Sequence, residues 1–270
     1  MFGSAVIVFR EVIEAALIIG ILAAATRSVP NRNRWLLAGV VTGLVGSALV
    51  AVSTDAISAM ADGVGQEILN SAILGVAVLM LAWHNIWMAS HGKALAISAK
   101  AVGAAIQEGQ KERSILLVVV GLAVLREGSE TVLFLYGILA SEGTGASPVW
   151  LGGVVGILAG VGVGYALYAG LLRVPTRWFF AATGVLVLLL AAGMASQAAH
   201  FLIQADLLPS LTAPIWDTSA MLPEGSMAGM LLHSLAGYDP RPAGMQVIVY
   251  AVTLATIGLG MKLANSSRTQ

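Results

Sequence analysis

The chain has 270 residues, of which 58% are hydrophobic and only 10% are charged, and its formal net charge is zero. This charge is too little to cover a soluble protein of this length, so the composition indicates a polytopic membrane protein. The chain contains no cysteine, which excludes disulfides and thiolate metal sites.

Seven apolar stretches are each long enough to cross about 30 Å of hydrocarbon as a helix. The first has no basic residue before its apolar run and carries three charges inside it, so we interpret it as a retained helix and not as a signal peptide. No alternating strand pattern competes, and the sequence predicts an all-α fold. The predicted spans are 2–26, 35–53, 68–88, 114–139, 149–172, 179–201 and 244–261.

The first and fourth stretches contain the same charged motif, Arg-Glu-x-x-Glu, at Arg10 to Glu14 and at Arg126 to Glu130. A charge at the centre of a membrane helix costs about 2.5 to 3.5 kcal/mol on the insertion scale. Six unpaired charges would therefore cost about 15 to 20 kcal/mol, which exceeds the stability of most domains. These side chains must pair with one another, face a water-filled path or hold a cation.

Other features recur in the same order as the motif. Trp35 and Trp150 open the second and fifth stretches, and Gly75 and Gly184 begin similar apolar octets in the third and sixth. We interpret this as two three-helix repeats, and because three is odd the second repeat enters the membrane from the opposite face, as in many transporters whose sites lie near the midplane. The predicted parts are repeat 1 (1–90), repeat 2 (114–203), an external loop (204–243) and a seventh helix (244–264).

The loop charges predict the orientation. Basic residues follow the odd-numbered stretches, so the N-terminus is expected outside and the C-terminus in the cytoplasm. The opposite loops are acidic, which would concentrate cations at an external entrance. Their acidic residues are Asp55, Asp62, Glu142, Asp206, Asp217, Glu224 and Asp239.

Three further patterns have mainly structural interpretations. A short helix is an alternative to a plain loop over 221–235. Small residues at helical spacing favour close internal packing over a dimer interface; they are Gly152, Gly156, Gly160 and Gly164 in the fifth stretch, and Gly39, Gly43 and Ser47 in the second. Four tryptophans fit an interfacial aromatic belt, and we predict no chemical role for them; they are Trp35, Trp83, Trp87 and Trp178.

The spacing of the motif places its three charges along nearly one face of a helix. One arginine cannot neutralise two glutamates, so each ionised copy has a net charge of minus one and the pair has minus two. Carboxylate oxygens prefer hard cations. The residues alone therefore predict a hard multivalent ion or a proton as the species that passes, with a structural salt-bridge network as the alternative.

The two motifs, the seven predicted helices and the run Trp216-Asp217-Thr218-Ser219, followed by Gly237-Tyr238 and residues 246–250, resemble the oxidase-dependent iron permease family. The resemblance implies that iron is the cargo, that ferric iron arrives from a partner oxidase, and that the chain is a multi-pass protein of a bacterial inner membrane without a resident cofactor. It also implies roles for the motif residues: Glu11, Glu14, Glu127 and Glu130 as metal ligands, with Arg10 and Arg126 balancing their charge.

The chain departs from the family pattern at two places. Glu67 is followed by Asn70 where a second glutamate is common, and Phe201 stands where a glutamate commonly follows a histidine. These two departures remove two possible auxiliary oxygens from the route beyond the central site. The auxiliary candidates for contact with the ion are Glu67, His84, His200 and Asp217.

Two competing functions use the same carboxylates. One is transport of another hard metal such as manganese. The other is a membrane-embedded metal-dependent enzyme that activates water, which would need a nucleophile or a substrate-anchoring constellation that the sequence does not contain. We therefore predict a transporter and not an enzyme. The expected partners are the iron ion, lipid, an external ferroxidase or iron-binding protein and further copies of this chain, but no nucleic acid.

Overall fold

The computed structural model describes residues 1–60, 66–142, 146–170, 176–223 and 225–266. Within these ranges it leaves out the side chains of 54–60, 66, 89–93, 95–96, 140–142, 176–180 and 265–266. The described residues form eight helices and no strand. The helices are α1 (Phe2–Ala25), α2 (Arg32–Met60), α3 (Gln66–Gln107), α4 (Ile115–Glu142), α5 (Ala146–Tyr168), α6 (Thr176–Gln204), α7 (Met227–Ala236) and α8 (Gly244–Ser266).

Five of these helices contain segments long and apolar enough to cross a membrane: Arg32–Ser53, Glu67–Met88, Ala146–Tyr168, Ala181–Gln204 and Gly244–Ala264. Helices α1 and α4 have 24 and 28 residues but carry the charged motifs in their middle. The all-helical fold agrees with the predicted polytopic membrane protein. A count of seven spans, the two repeats and the orientation of the termini stay predictions.

Helix α3 is twice as long as the span predicted for it. It has 42 residues, which at 1.5 Å per residue gives about 63 Å. Its second half is rich in alanine, the strongest helix former, and it remains packed: Ala99 and Ile106 are buried in one apolar cluster with Leu22 of α1 and Leu116 of α4. The end of the apolar stretch is therefore not the end of the helix.

The small residues of α5 and α2 hold the two motif helices. A Cβ atom added at Gly156 would lie 2.6 Å from the carbonyl oxygen of Ala5 in α1. One added at Gly43 would lie 2.6 Å from the Cβ of Val124 in α4. Helix α1 therefore packs closely on α5, and α4 packs closely on α2. Internal packing, which the small-residue pattern predicted, is confirmed.

Two apolar clusters show how the helices run past one another. Ile7 of α1 and Phe134 of α4 belong to the first cluster. Leu22 of α1 and Val120 of α4 belong to the second. The start of α1 therefore lies beside the later part of α4, so these two helices are antiparallel and in direct contact. The charged motifs occupy the intervening turns of both helices.

The segment 204–243, predicted as a loop, contains a helix. Ser226 is the N-cap of α7 and accepts a hydrogen bond from the Gly229 backbone N–H at 3.0 Å, so the helix begins at Met227, six residues later than the alternative over 221–235. It ends at Gly237, whose φ of 66° is in the left-handed region that glycine adopts without strain. A Cβ added at Gly193 would lie 2.6 Å from the Cα of Gly237, so α7 rests closely on α6.

Candidate metal site

The two motifs and one histidine meet between α1, α3 and α4. One potential ligand atom from each of Glu11, His84, Glu127 and Glu130 lies within 4.8 Å of those of the other three. Glu11, His84 and Glu127 are at most 4% exposed, and the side chain of Glu130 is 16% exposed. Three carboxylates and an imidazole from three different helices therefore converge on one small volume.

Each motif arginine pairs with the glutamates of its own helix. Arg10 Nε lies 3.1 Å from Glu14 Oε1, and Arg10 Nη1 lies 3.4 Å from Glu11 Oε1. In the second copy, Arg126 Nε lies 3.0 Å from Glu130 Oε1 and 3.8 Å from Glu127 Oε1. The shorter pair in each helix is the i,i+4 pair that the motif spacing places on one face, and the adjacent glutamate lies farther from the guanidinium.

His84 lies at the centre of the site. Its Nδ1 contacts Glu130 Oε2. Its Nε2 lies 3.7 Å from Glu14 Oε2 and 3.9 Å from Glu11 Oε2. One imidazole thus touches carboxylates of both motifs, and it brings Glu14 to the edge of the cluster even though that residue is not among the four converging ligands.

Several polar atoms of the site are buried without a hydrogen-bond partner. Glu11 Oε2 and Glu127 Oε2 are two of them. A buried acceptor left without a partner costs about 1 to 3 kcal/mol, and more if it is charged. In the described part of the chain, all nine such side-chain atoms belong to the two motifs, His84 and its neighbour Asn85. Several of them, such as Arg10 Nε and Glu14 Oε1, meet an opposite charge without the geometry of a hydrogen bond. Oxygen and nitrogen atoms in this arrangement fit a cation.

Apolar layers close the site along the helix axes. On α1, Ile7 precedes the motif and belongs to the first cluster, while Leu22 follows it and belongs to the second. On α4 the order is reversed, with Val124 of the second cluster before the motif and Phe134 of the first cluster after it. The charged residues form one polar layer between two apolar ones, which lowers the local dielectric and strengthens their interactions.

The other auxiliary candidates lie outside this cluster. Glu67 is exposed in the first turn of α3. The His200 ring nitrogen Nε2 lies 3.0 Å from Gln204 Nε2 on α6. Asp217 is exposed and forms an ion pair with Arg241 at 3.0 Å. Of the external acids, Asp62 and Glu224 lie outside the described residues, as do the side chains of Asp55 and Glu142.

Asp217 has a structural role in the segment between α6 and α8. Its Oδ1 accepts hydrogen bonds from the backbone N–H of Ser219 at 3.0 Å and from its hydroxyl at 2.5 Å. These bonds, with those from Arg241, lower the pKa of the carboxyl group to about 2. The hydroxyl groups of Thr218, next to Asp217, and Tyr238 form a hydrogen bond, so this group of polar contacts fixes the path of the chain around α7.

The sequence profile of the iron permease FTR1 family matches residues 1–264. The chain belongs to this family. It is therefore related to membrane permeases for iron, and it is a multi-pass membrane protein.

Its relatives within the iron permease FTR1 family include proteins named "Ferrous iron permease EfeU". The one from Escherichia coli O6:H1 is 30% identical over 259 residues, which is 94% of this chain and 92% of the relative. That from Escherichia coli O157:H7 is 30% identical over 258 residues, with the same coverage. That from Yersinia pestis is 29% identical over 259 residues, which covers 94% of this chain and 90% of the relative. No solved structure matches the chain.

The sequence did not predict two residues, His84 and Trp87, as main residues at or beside the site. His84 was only an auxiliary candidate, and the structure puts it in the cluster. Trp87 was predicted to fit an aromatic belt without a chemical role, and the centre of its ring lies 4.2 Å from the Arg126 guanidinium carbon. The sequence offers only a weak signal for both: His84 and Asn85 are adjacent polar residues inside an apolar stretch, and Trp87 lies one helical turn after His84.

Proposed function

We propose that this permease carries iron across the membrane through the site formed by Glu11, His84, Glu127 and Glu130. The observation that carries the proposal is the convergence of four ligand atoms from three helices within 4.8 Å. Carboxylate oxygens and an imidazole nitrogen together form a donor set that suits iron. Glu14 serves as the neighbouring carboxylate that the ion meets next.

The charge of the two motifs suits a cation. Four ionised glutamates and two arginines leave minus two, and the ion pairs in each helix leave carboxylate oxygens available. A divalent ion would neutralise this charge in a layer that lies between two apolar clusters. In that environment uncompensated charge is costly, so the arrangement favours occupancy by a cation over an empty state.

The proposal has two versions, which differ in the oxidation state of the iron that is carried. The sequence resemblance predicts ferric iron delivered by an external oxidase. The relatives are named ferrous iron permeases, and His84 adds a nitrogen donor that suits ferrous iron. We propose ferrous iron on these two grounds, with ferric iron as the alternative that uptake measurements decide.

The packing supports the inverted-repeat architecture as part of the proposal. If α1, α2 and α3 correspond to α4, α5 and α6, the pair α1 and α5 corresponds to the pair α4 and α2. These two pairs form the most extensive helix contacts in the described part of the chain. The contacts of α1 with α4 and of α3 with α6 each join a helix to its counterpart in the other half, as expected for helices beside a two-fold axis. A site shared by the two halves lies on such an axis, as expected for alternating access.

The test is uptake of radioactive iron into proteoliposomes that contain the purified protein. Ferrous iron is offered with ascorbate and ferric iron as its citrate complex, each with and without excess manganese. We expect uptake of ferrous iron that Glu127→Gln abolishes. The matched control is Glu67→Gln, because this exposed glutamate should leave uptake unchanged.

Three results would change or overturn the proposal. Uptake of ferric iron alone would support the alternative oxidation state and an oxidase partner. Suppression of uptake by excess manganese would show that the site also binds manganese, since carboxylates suit that ion, and uptake of manganese itself would make it a second cargo. Equal uptake by wild-type protein and Glu127→Gln would remove the site from the mechanism.

A further inference from the structure

The two arginines of the motifs lie in different surroundings. The Arg10 side chain is 3% exposed, whereas that of Arg126 is 34% exposed. The guanidinium carbon of Arg126 lies 4.2 Å from the centre of the Trp87 ring, which is a cation–π contact. Arg126 thus has two kinds of partner, the carboxylates of its own helix and an aromatic face from α3.

The two arginines lie at opposite ends of the site. Arg10 follows Ile7 on α1, so it lies on the side of the first apolar cluster. Arg126 follows Val124 on α4, so it lies on the side of the second cluster. Trp87, three residues after His84, lies on the Arg126 side. By the predicted orientation this side faces the cytoplasm, and the ion would leave through it.

A cation that binds the second motif competes with Arg126 for the same oxygens. Arg126 Nε lies 3.0 Å from Glu130 Oε1, so a metal ion on that carboxylate repels the guanidinium at close range in a medium of low dielectric. An arginine displaced into an apolar environment without a partner is costly. An indole face, the strongest aromatic partner for a guanidinium, reduces that cost.

We propose that Trp87 is a positioning residue that holds Arg126 while the cation occupies the carboxylates. This inference rests on the proposed iron site. The guanidinium moves away from Glu130 but keeps the indole as its partner, and it returns to the carboxylates when the ion has left. Trp87 thereby supports occupancy of the site, and Arg126 covers the side through which the ion is released.

The first test is binding of ferrous iron to the purified protein in detergent under anaerobic conditions. Trp87→Leu removes the aromatic face, and a cation–π contact of this kind corresponds to a roughly 2- to 30-fold weaker affinity. Trp87→Phe retains a weaker face and should fall between leucine and wild type. Trp83→Leu is the matched control, because Trp83 lies one turn earlier on α3 and is 74% exposed; it should bind like wild type.

The second test separates an action through Arg126 from ordinary packing. Trp87→Leu is combined with Arg126→Gln, and the effect of the tryptophan change is compared in the two backgrounds. If Trp87 acts through the guanidinium, its replacement has no further effect on iron affinity once Arg126 is glutamine. An equal loss in both backgrounds would show that Trp87 only packs, and would overturn the proposal.

The outcomes distinguish this inference from the iron site itself. If wild-type protein does not bind iron, the proposed function fails. If wild-type protein binds iron and both Trp87 variants bind it equally well, only the role of Trp87 fails. Size-exclusion chromatography confirms folding of each variant, and if the leucine variants do not fold, Trp87→Phe in the two Arg126 backgrounds gives the same comparison.

Discussion

The two copies of the charged motif have the same spacing but different accessibility. Arg10, Glu11 and Glu14 are at most 3% exposed. In the second copy Glu127 is equally buried, but the side chains of Arg126 and Glu130 are 34% and 16% exposed. The spacing fixes which residues pair within each helix, whereas the neighbouring helices decide which copy can be reached. One half of the site is sealed and the other can be approached.

The residues between the charges also differ, and the packing partners differ with them. The first copy has Val12, which fills the space that Gly160 leaves on α5: a Cβ added there would lie 2.7 Å from Val12 Cγ1. The second copy has Gly128, which leaves space for Ser47 of α2, since a Cβ added at this glycine would lie 2.1 Å from Ser47 Oγ. The larger side chain is on the motif helix in one pair and on its partner in the other.

The largest effect on iron uptake is expected for the glutamates by which both motif copies contribute to one metal site. Glu11→Gln and Glu127→Gln each remove a charged oxygen from the same cluster, so both should lower iron uptake at least about 100-fold, beyond the 10- to 100-fold typical of groups that only support a ligand. Uptake into proteoliposomes measures this. A loss in only one of the two variants would show that the copies do not form one site.

Changing the glycines would disturb the packing difference between the copies. Gly160→Val places a branched side chain against Val12, and Gly128→Val places one against Ser47. Overpacking of this kind costs about 1 to 3 kcal/mol, which thermal unfolding in detergent measures. Gly162→Val is the control, because no atom lies within 4 Å of the added Cβ. Destabilisation of the Gly162 variant by the same amount would contradict this account.

The arginines test the difference in exposure. Lysine keeps the charge but loses the planar fork that contacts two carboxylates. We expect Arg10→Lys to lower uptake on the order of tenfold, because its burial permits no rearrangement, and Arg126→Lys to lower it about threefold. Initial rates at saturating iron measure both. Equal rates for the two lysine variants would show that exposure does not affect the role of the arginine.

The smallest effect is expected far from both copies. Asp217→Asn removes the ion pair with Arg241 at an exposed position, so uptake should stay within about twofold of wild type. The lowered pKa of Asp217 means that this pair contributes stability above the usual carboxyl range and loses it as the pH falls towards 2. A tenfold loss of uptake in this variant would instead indicate a direct role in guiding the ion.

The sequence predicted the motif helices well, because charges at fixed spacing inside apolar segments have few explanations. It did not predict the length of α3. Hydropathy detects where the apolar stretch ends near Met88, but it does not detect the alanine-rich continuation, which is stabilised by packing of Ala99 and Ile106 against other helices. The order of the helices and their contact partners depend on surfaces that are distant in sequence.

The four glutamates could be predicted as candidate ligands, but the composition of the cluster could not. A single histidine in an apolar helix is more often hydrogen-bonded structure than ligand, and nothing next to His84 distinguishes the two roles. Only the crossing of α3 with α1 and α4 brings it between the motifs. Because of this crossing, His84 and not the predicted Glu14 is the fourth converging group, although the two residues are 70 positions apart in the sequence.

The close packing of α1 on α5 has a consequence for synthesis of the chain. The 120 residues at positions 26 to 145 separate the two helices, so at about 5 to 20 residues per second α5 follows α1 after roughly 6 to 24 s. During that time α1 lacks its main partner, and the second motif at 126–130 is made only near the end of the interval. The local pairing of Arg10 with Glu11 and Glu14 reduces the charge that α1 exposes to lipid before α5 has been synthesised. The motif therefore assists assembly before it can bind any ion.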